Sequence, residues 1–102
     1  MPGGLVGSLK AIADPTRLAI LRFLAVEPLT PAQLARRLRL RPPTVIHHLN
    51  ALRLASLVEI TLLPAAEKRY ALREEAVQAV LTGLQDFLRS PLPPAEDDPA
   101  LS

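Results

Sequence analysis

The sequence has no cysteine and no tryptophan, and its aromatics are limited to Phe23, Tyr70 and Phe87. Without cysteine there is no disulfide, no thiolate metal site and no cysteine nucleophile. With so few aromatics, the core has to be aliphatic. No apolar run approaches the ~18 residues that a membrane-spanning helix requires. No basic stretch followed by an apolar one opens the chain, so no signal peptide is read there, and a cytoplasmic protein without membrane contact is expected. A glycine-rich phosphate loop and an HExxH pair are both missing, and Ser8, Ser56, Ser90 and Ser102 stand in no nucleophile-elbow context. No catalytic residue, no cofactor and no enzymatic activity are expected.

One absence is local. Between residues 28 and 58 there is no acid, while Arg36, Arg37, Arg39, Arg41 and Arg53 all fall in that stretch. Such one-sided charge suits a polyanion. The formal net charge of +2 conceals the same asymmetry at larger scale. Residues 90–102 carry three acids, four prolines and no base; without them 12 basic and 7 acidic residues remain, a net +5. The chain therefore divides into a basic folded part, 1–89, and an acidic, proline-rich tail, 90–102, expected to be disordered.

What is present is mostly leucine and alanine, within a 49% apolar composition. A chain of 102 residues forms one domain with one modest core. Residues 1–4 are expected to fray. Leu5, Leu9 and Ile12 recur at helical spacing and predict a first helix over 5–13. Asp14-Pro15 is a cap residue followed by a proline at the first helical position. It predicts a second helix over 15–25, with Leu18, Ile20, Leu21 and Leu24 inward. Thr30-Pro31 repeats the signature for a third helix to Leu38, which buries Leu34, Ala35 and Leu38. Pro42-Pro43 opens a fourth over 42–55, with Val45, Leu49 and Leu52 on one face. Prolines are tolerated there because first-turn N–H groups lack intrahelical partners. Only residues 38–41 separate the last two helices, a helix-turn-helix connection.

The period then changes. Residues 57–63 are rich in β-branched and aliphatic side chains, and 68–72 alternate polar and apolar. They predict a β-hairpin closed by a loop at 64–67, with Pro64 marking either the end of its first strand or a bulge. A lone hairpin is marginal, so it has to lean on the helices. A last helix is read over 73–88. The expected fold is mainly α with a small hairpin, a winged helix-turn-helix.

These residues also carry a family likeness. LKAIADPTRLAILRFL resembles the N-terminal motif of ArsR/SmtB-type bacterial repressors, and PAQLARRLRLRPPTVIHHLNALRLASLVE resembles their helix-turn-helix. KRYAL is similar to their wing strand, and the likeness spans about residues 8–88. The resemblance implies a dimeric winged-helix transcription regulator that binds double-stranded operator DNA and is often released by a ligand. A separate reading is a ligand sensor that holds a small apolar molecule between the dimerisation helices. Two positions depart from the pattern. Ser56 stands where a glycine usually precedes the wing, and Ile46 stands where a serine usually faces DNA. At position 46 an apolar side chain meets a thymine methyl or the core, and donates no hydrogen bond.

The fourth helix is the expected reader of the major groove, with its N-terminal half leading. Thr44 and His47, three residues apart on one face, are the expected base contacts. Pro43 begins that half. Arg36, Arg37, Arg39, Arg41 and Arg53 are candidates for phosphate, and Arg41 also reaches guanine. Lys68 and Arg69 on the wing, 57–72, are candidates for flanking phosphates or the minor groove. His48 occupies the family's usual histidine position, where a packing or phosphate role is expected. His47 and His48 point about 100° apart on a helix, so the pair cannot grip one ion. The resemblance places metal sites at cysteines on the third helix or at aspartate and histidine on the last. This last helix has Glu74, Glu75 and Asp86 but no histidine, and no metal is expected.

Leu5, Leu9 and Ile12, with Val77, Val80, Leu81, Leu84, Phe87 and Leu88, form more apolar helix surface than so small a domain can cover. Pairing across a two-fold axis buries it, and the family implies the same homodimer. A rival expectation is a winged-helix protein-interaction module that does not read DNA. The acid-free stretch argues against it, since such a module has no need of one.

Overall fold

The computed structural model describes residues 3–62 and 67–92. Most of the tail expected to be disordered, residues 93–102, and most of the hairpin loop lie outside these residues. The described chain runs α1 (Gly3–Ile12), α2 (Pro15–Leu24), α3 (Pro31–Leu38), α4 (Pro42–Leu54), β1 (Val58–Leu62), β2 (Lys68–Leu72) and α5 (Glu74–Arg89). No helix among the described residues is long and apolar enough to cross a membrane. Two expectations about the first two helices are corrected: Gly3 and Gly4 belong to α1 rather than to a frayed end, and Leu18 of α2 is 51% exposed rather than inward, leaving Ile20, Leu21 and Leu24 as the buried side. Leu5 is 8% exposed and lies against Gly83 of α5, and this contact holds the first turn in place.

Local chemistry sets the helix starts. The carboxylate of Asp14 accepts from the Arg17 backbone N–H at 3.0 Å and caps α2. That N–H, more than any other cause, holds the Asp14 carboxyl below its usual pKa, so the cap keeps its charge to lower pH than an ordinary aspartate. A group lowered in the folded state stabilises it above its unfolded pKa and loses that effect as pH falls through the folded value. Thr30 and Gln33 form a reciprocal capping box, with bonds of 3.1 and 2.9 Å between each side chain and the other's backbone N–H. α4 has no side-chain cap. Pro42 and Pro43 carry no N–H, and the Thr44 N–H donates to the Arg41 carbonyl at 3.0 Å. The first turn is thereby left with few orphan donors.

Two left-handed residues stop the two central helices. Past α3, Arg39 has φ 56°; the Arg39 N–H donates to the Arg36 carbonyl and the Leu40 N–H to that of Ala35. Past α4, Ser56 has φ 60°, with the Ser56 N–H on the Arg53 carbonyl at 2.9 Å and the Leu57 N–H on that of Leu52 at 3.0 Å. Both are Schellman stops without the glycine that usually supplies them. Leu52 and Leu57, which flank the second stop, are fully buried. Arg73 pins this corner by donating from Nη1 to the Ser56 carbonyl at 3.1 Å. A left-handed L-residue costs about 1–2 kcal/mol, and glycine gives part of that back through its looser unfolded state. Ser56→Gly is therefore expected to raise stability by roughly 0.5–1 kcal/mol, seen as a higher urea midpoint at unchanged slope. A lower midpoint would show that the serine stabilises this corner.

The core joins Ile20, Leu21 and Leu24 of α2 to Leu34 and Ala35 of α3, to Val45, Leu49 and Leu52 of α4, and to Leu57, Val58 and Tyr70 of the wing. Fully burying such a side chain contributes about 1.5–3 kcal/mol. β1 and β2 pair antiparallel with Ile60 opposite Tyr70. The hairpin gains a third partner that the sequence did not announce. Leu29, between α2 and α3, exchanges two backbone bonds with Tyr70, at 3.0 and 2.7 Å. This bridge, with Leu29 fully buried, ties the wing to the start of α3.

Candidate nucleic-acid interface

α4 is held by one face and open on the other. Val45, Leu49 and Leu52 are fully buried. Pro43, His47, Asn50 and Leu54 lie opposite and are exposed, flanked by exposed Thr44, Ile46 and Arg53. Ile46 is 40% exposed, so it belongs to the open face rather than to the core. Arg39 and Arg41 stand exposed in the turn before α4, and Arg36 and Arg37 on the last turn of α3. Arg37 also lies over the Phe23 ring, 5.7 Å from its centroid. Among the described residues, Arg36, Arg37, Arg39, Arg41 and Arg53 have no carboxylate partner, and the one ion pair joins Arg69 to Glu67 at 3.0 Å. Arg69 is thus paired with Glu67 at the wing, while Lys68 is exposed.

His48 stands apart from this surface. It is half-buried, and its Nδ1 accepts from Arg17 Nε at 3.1 Å. Arg17 also reaches the Ala11 carbonyl at 3.5 Å. His48 therefore ties α4 to α2 and fixes the rotation of the helix about its axis. The rings of His47 and His48 meet edge-on, with centroids 5.5 Å apart. Among the described residues, no three His, Asp or Glu side chains gather as a metal ion needs.

The apolar stripe of α5 divides in two. Val80 is 8% exposed and joins Leu5 in the protomer's own core, so neither lies on the pairing surface where the sequence placed them. Leu9, Ile12, Val77 and Leu84 are partly buried against that core. Leu81, Phe87 and Leu88 are 51%, 38% and 73% exposed. Val77, Leu81, Leu84 and Leu88 follow steps of four, three and four, the spacing of a helix-pairing seam.

Sequence reasoning missed two residues. Asn50 was legible, since it lies three residues past His47 on the same face. The tie from Arg17 was not, since its partner is 31 residues away.

A helix-turn-helix with an open, arginine-flanked second helix and a docked hairpin is the architecture of a winged-helix DNA-binding protein. The family model for bacterial regulatory proteins of the ArsR family matches residues 14–59. The fold is similar to an ArsR-like transcriptional regulator from Rhodococcus sp. RHA1, with a TM-score of 0.77 and 28% identity over 96% of this chain and 86% of that one. It is similar to HlyU from Vibrio cholerae N16961, with a TM-score of 0.65 and 31% identity over 84% and 91% of the two chains. NolR from Sinorhizobium fredii gives 0.66 and 30% over 80% and 81%. Among curated protein sequences none matches. The chain belongs to the ArsR family, and is a DNA-binding transcriptional regulator rather than an enzyme.

Proposed function

We propose that the protein is a homodimeric, sequence-specific repressor in the cytoplasm that holds operator DNA with α4 in the major groove. The wing contacts flanking phosphates or the minor groove. The observation that carries this is the set of arginines around the open face of α4 that have no carboxylate partner among the described residues. Thr44 and His47 stand on that face as the base contacts, and Arg36, Arg37, Arg39, Arg41, Arg53 and Lys68 are the phosphate contacts. Arg69 joins them when it leaves Glu67. The seam on α5, with Leu9 and Ile12 of α1, supports pairing with a second copy.

The experiment is a shift assay with promoter DNA over a series of salt concentrations. Each phosphate contact adds about 0.9 to the slope of log K against log salt. Arg41→Ala is expected to weaken binding to specific and random DNA alike and to flatten that slope by about 0.9. An unchanged slope removes Arg41 from the interface. No shift of any DNA by the wild-type protein makes the chain an interaction module instead.

A further inference from the structure

We infer that Asn50 reads an adenine in the major groove, an assignment that rests on α4 being the helix that enters it. Asn50 is exposed on the side of α4 opposite Val45, Leu49 and Leu52. With Arg53 and Leu54 it lines a depression in the surface. Among the described residues, its side-chain amide has no hydrogen-bond partner. Asparagine lowers helix stability relative to alanine. Among the described residues no side-chain hydrogen bond offsets that loss, so such a bond does not explain the residue.

A side-chain amide offers a donor and an acceptor side by side. In the major groove that pair matches N6 and N7 of adenine, and no other base edge presents the same pattern. A residue adds 1.5 Å along a helix, so Asn50 lies about 4.5 Å beyond His47. A base pair rises about 3.4 Å, which places the two side chains a step or two apart on the DNA. Ile46 is one turn earlier on the same flank and 40% exposed, where it can cover a thymine methyl. No acid lies on α4 to repel the approaching backbone. Asn50 is thus a specificity-determining residue on the open face about one turn past His47, with Arg53 and the arginines before α4 available for phosphate.

The test is selection from a random duplex library at one stated salt concentration, using the wild type, Asn50→Ala and Asn50→Arg. The wild type is expected to enrich a half-site containing one adenine that becomes degenerate with Asn50→Ala. With Asn50→Arg the same position is expected to turn to guanine, the base arginine reads. On the wild-type site, Asn50→Ala is expected to lose about 5- to 150-fold in affinity, with its melting temperature unchanged or higher. An unchanged consensus in both variants overturns the assignment and leaves the regulator standing. So does an equal loss on specific and random DNA, the mark of a phosphate contact. A wild type that enriches no sequence overturns the sequence-specific function itself, and this assignment with it.

Discussion

Leu81→Asp is expected to convert the protein into a monomer that keeps its helices and loses most of its affinity for a two-half-site operator. Leu81 is 51% exposed in the protomer and sits mid-seam between Val77 and Leu84. Within one protomer a charge there meets water and costs little. Across a two-fold axis the same charge is desolvated against apolar side chains, a penalty of several kcal/mol per ion. Linked half-site contacts exceed single ones by about 10²–10⁴ in affinity, and the monomer forfeits that factor. Leu84 is the residue that the sequence stripe alone would select. It packs partly against the protomer's own core, so its replacement mixes folding with pairing. Sedimentation velocity at tens of micromolar, read beside far-ultraviolet circular dichroism, separates the two effects. A wild type that sediments as a monomer would refute the seam.

The second large effect contrasts the two sides of α4. Leu49 is fully buried, and Leu49→Ala is expected to cost about 2–5 kcal/mol of stability. That is a large part of the roughly 5–15 kcal/mol that holds a domain folded, and thermal melting will show it. His47→Ala and Thr44→Ala, on exposed positions, are expected to change stability by less than about 0.5 kcal/mol. Each is expected to cost about 1–3 kcal/mol on the preferred DNA site, and less on random DNA, where phosphates supply the binding. The two kinds of variant thus exchange phenotypes. A large drop in melting temperature for His47→Ala would mean that α4 is rotated about its axis.

The features legible in the sequence were local. Thr30-Pro31 and Pro42-Pro43 mark helix starts because capping and proline geometry act within a few residues. The core face of α4 followed from spacing, as Val45, Leu49 and Leu52 show. The stops were harder to place, because Arg39 and Ser56 adopt left-handed conformations with no glycine to announce them. What depended on distant partners was illegible. The Leu29 bridge to Tyr70 is invisible to any periodicity, as is the bond from Arg17 to His48. Both nevertheless position the site, one by docking the wing and the other by orienting α4. The α5 stripe was seen as a single surface. Only the packing of Leu5 against Gly83 and the burial of Val80 divide it into a core side and an open side.

The central claim is that α4 reads sequence for a dimer. Its most direct test compares wild-type affinity for the selected two-half-site duplex with that for a scrambled duplex of equal length, at one salt concentration. The predicted result is a preference of about 10³ or more for the selected duplex, with two chains bound per duplex. Equal affinity for both duplexes would contradict it.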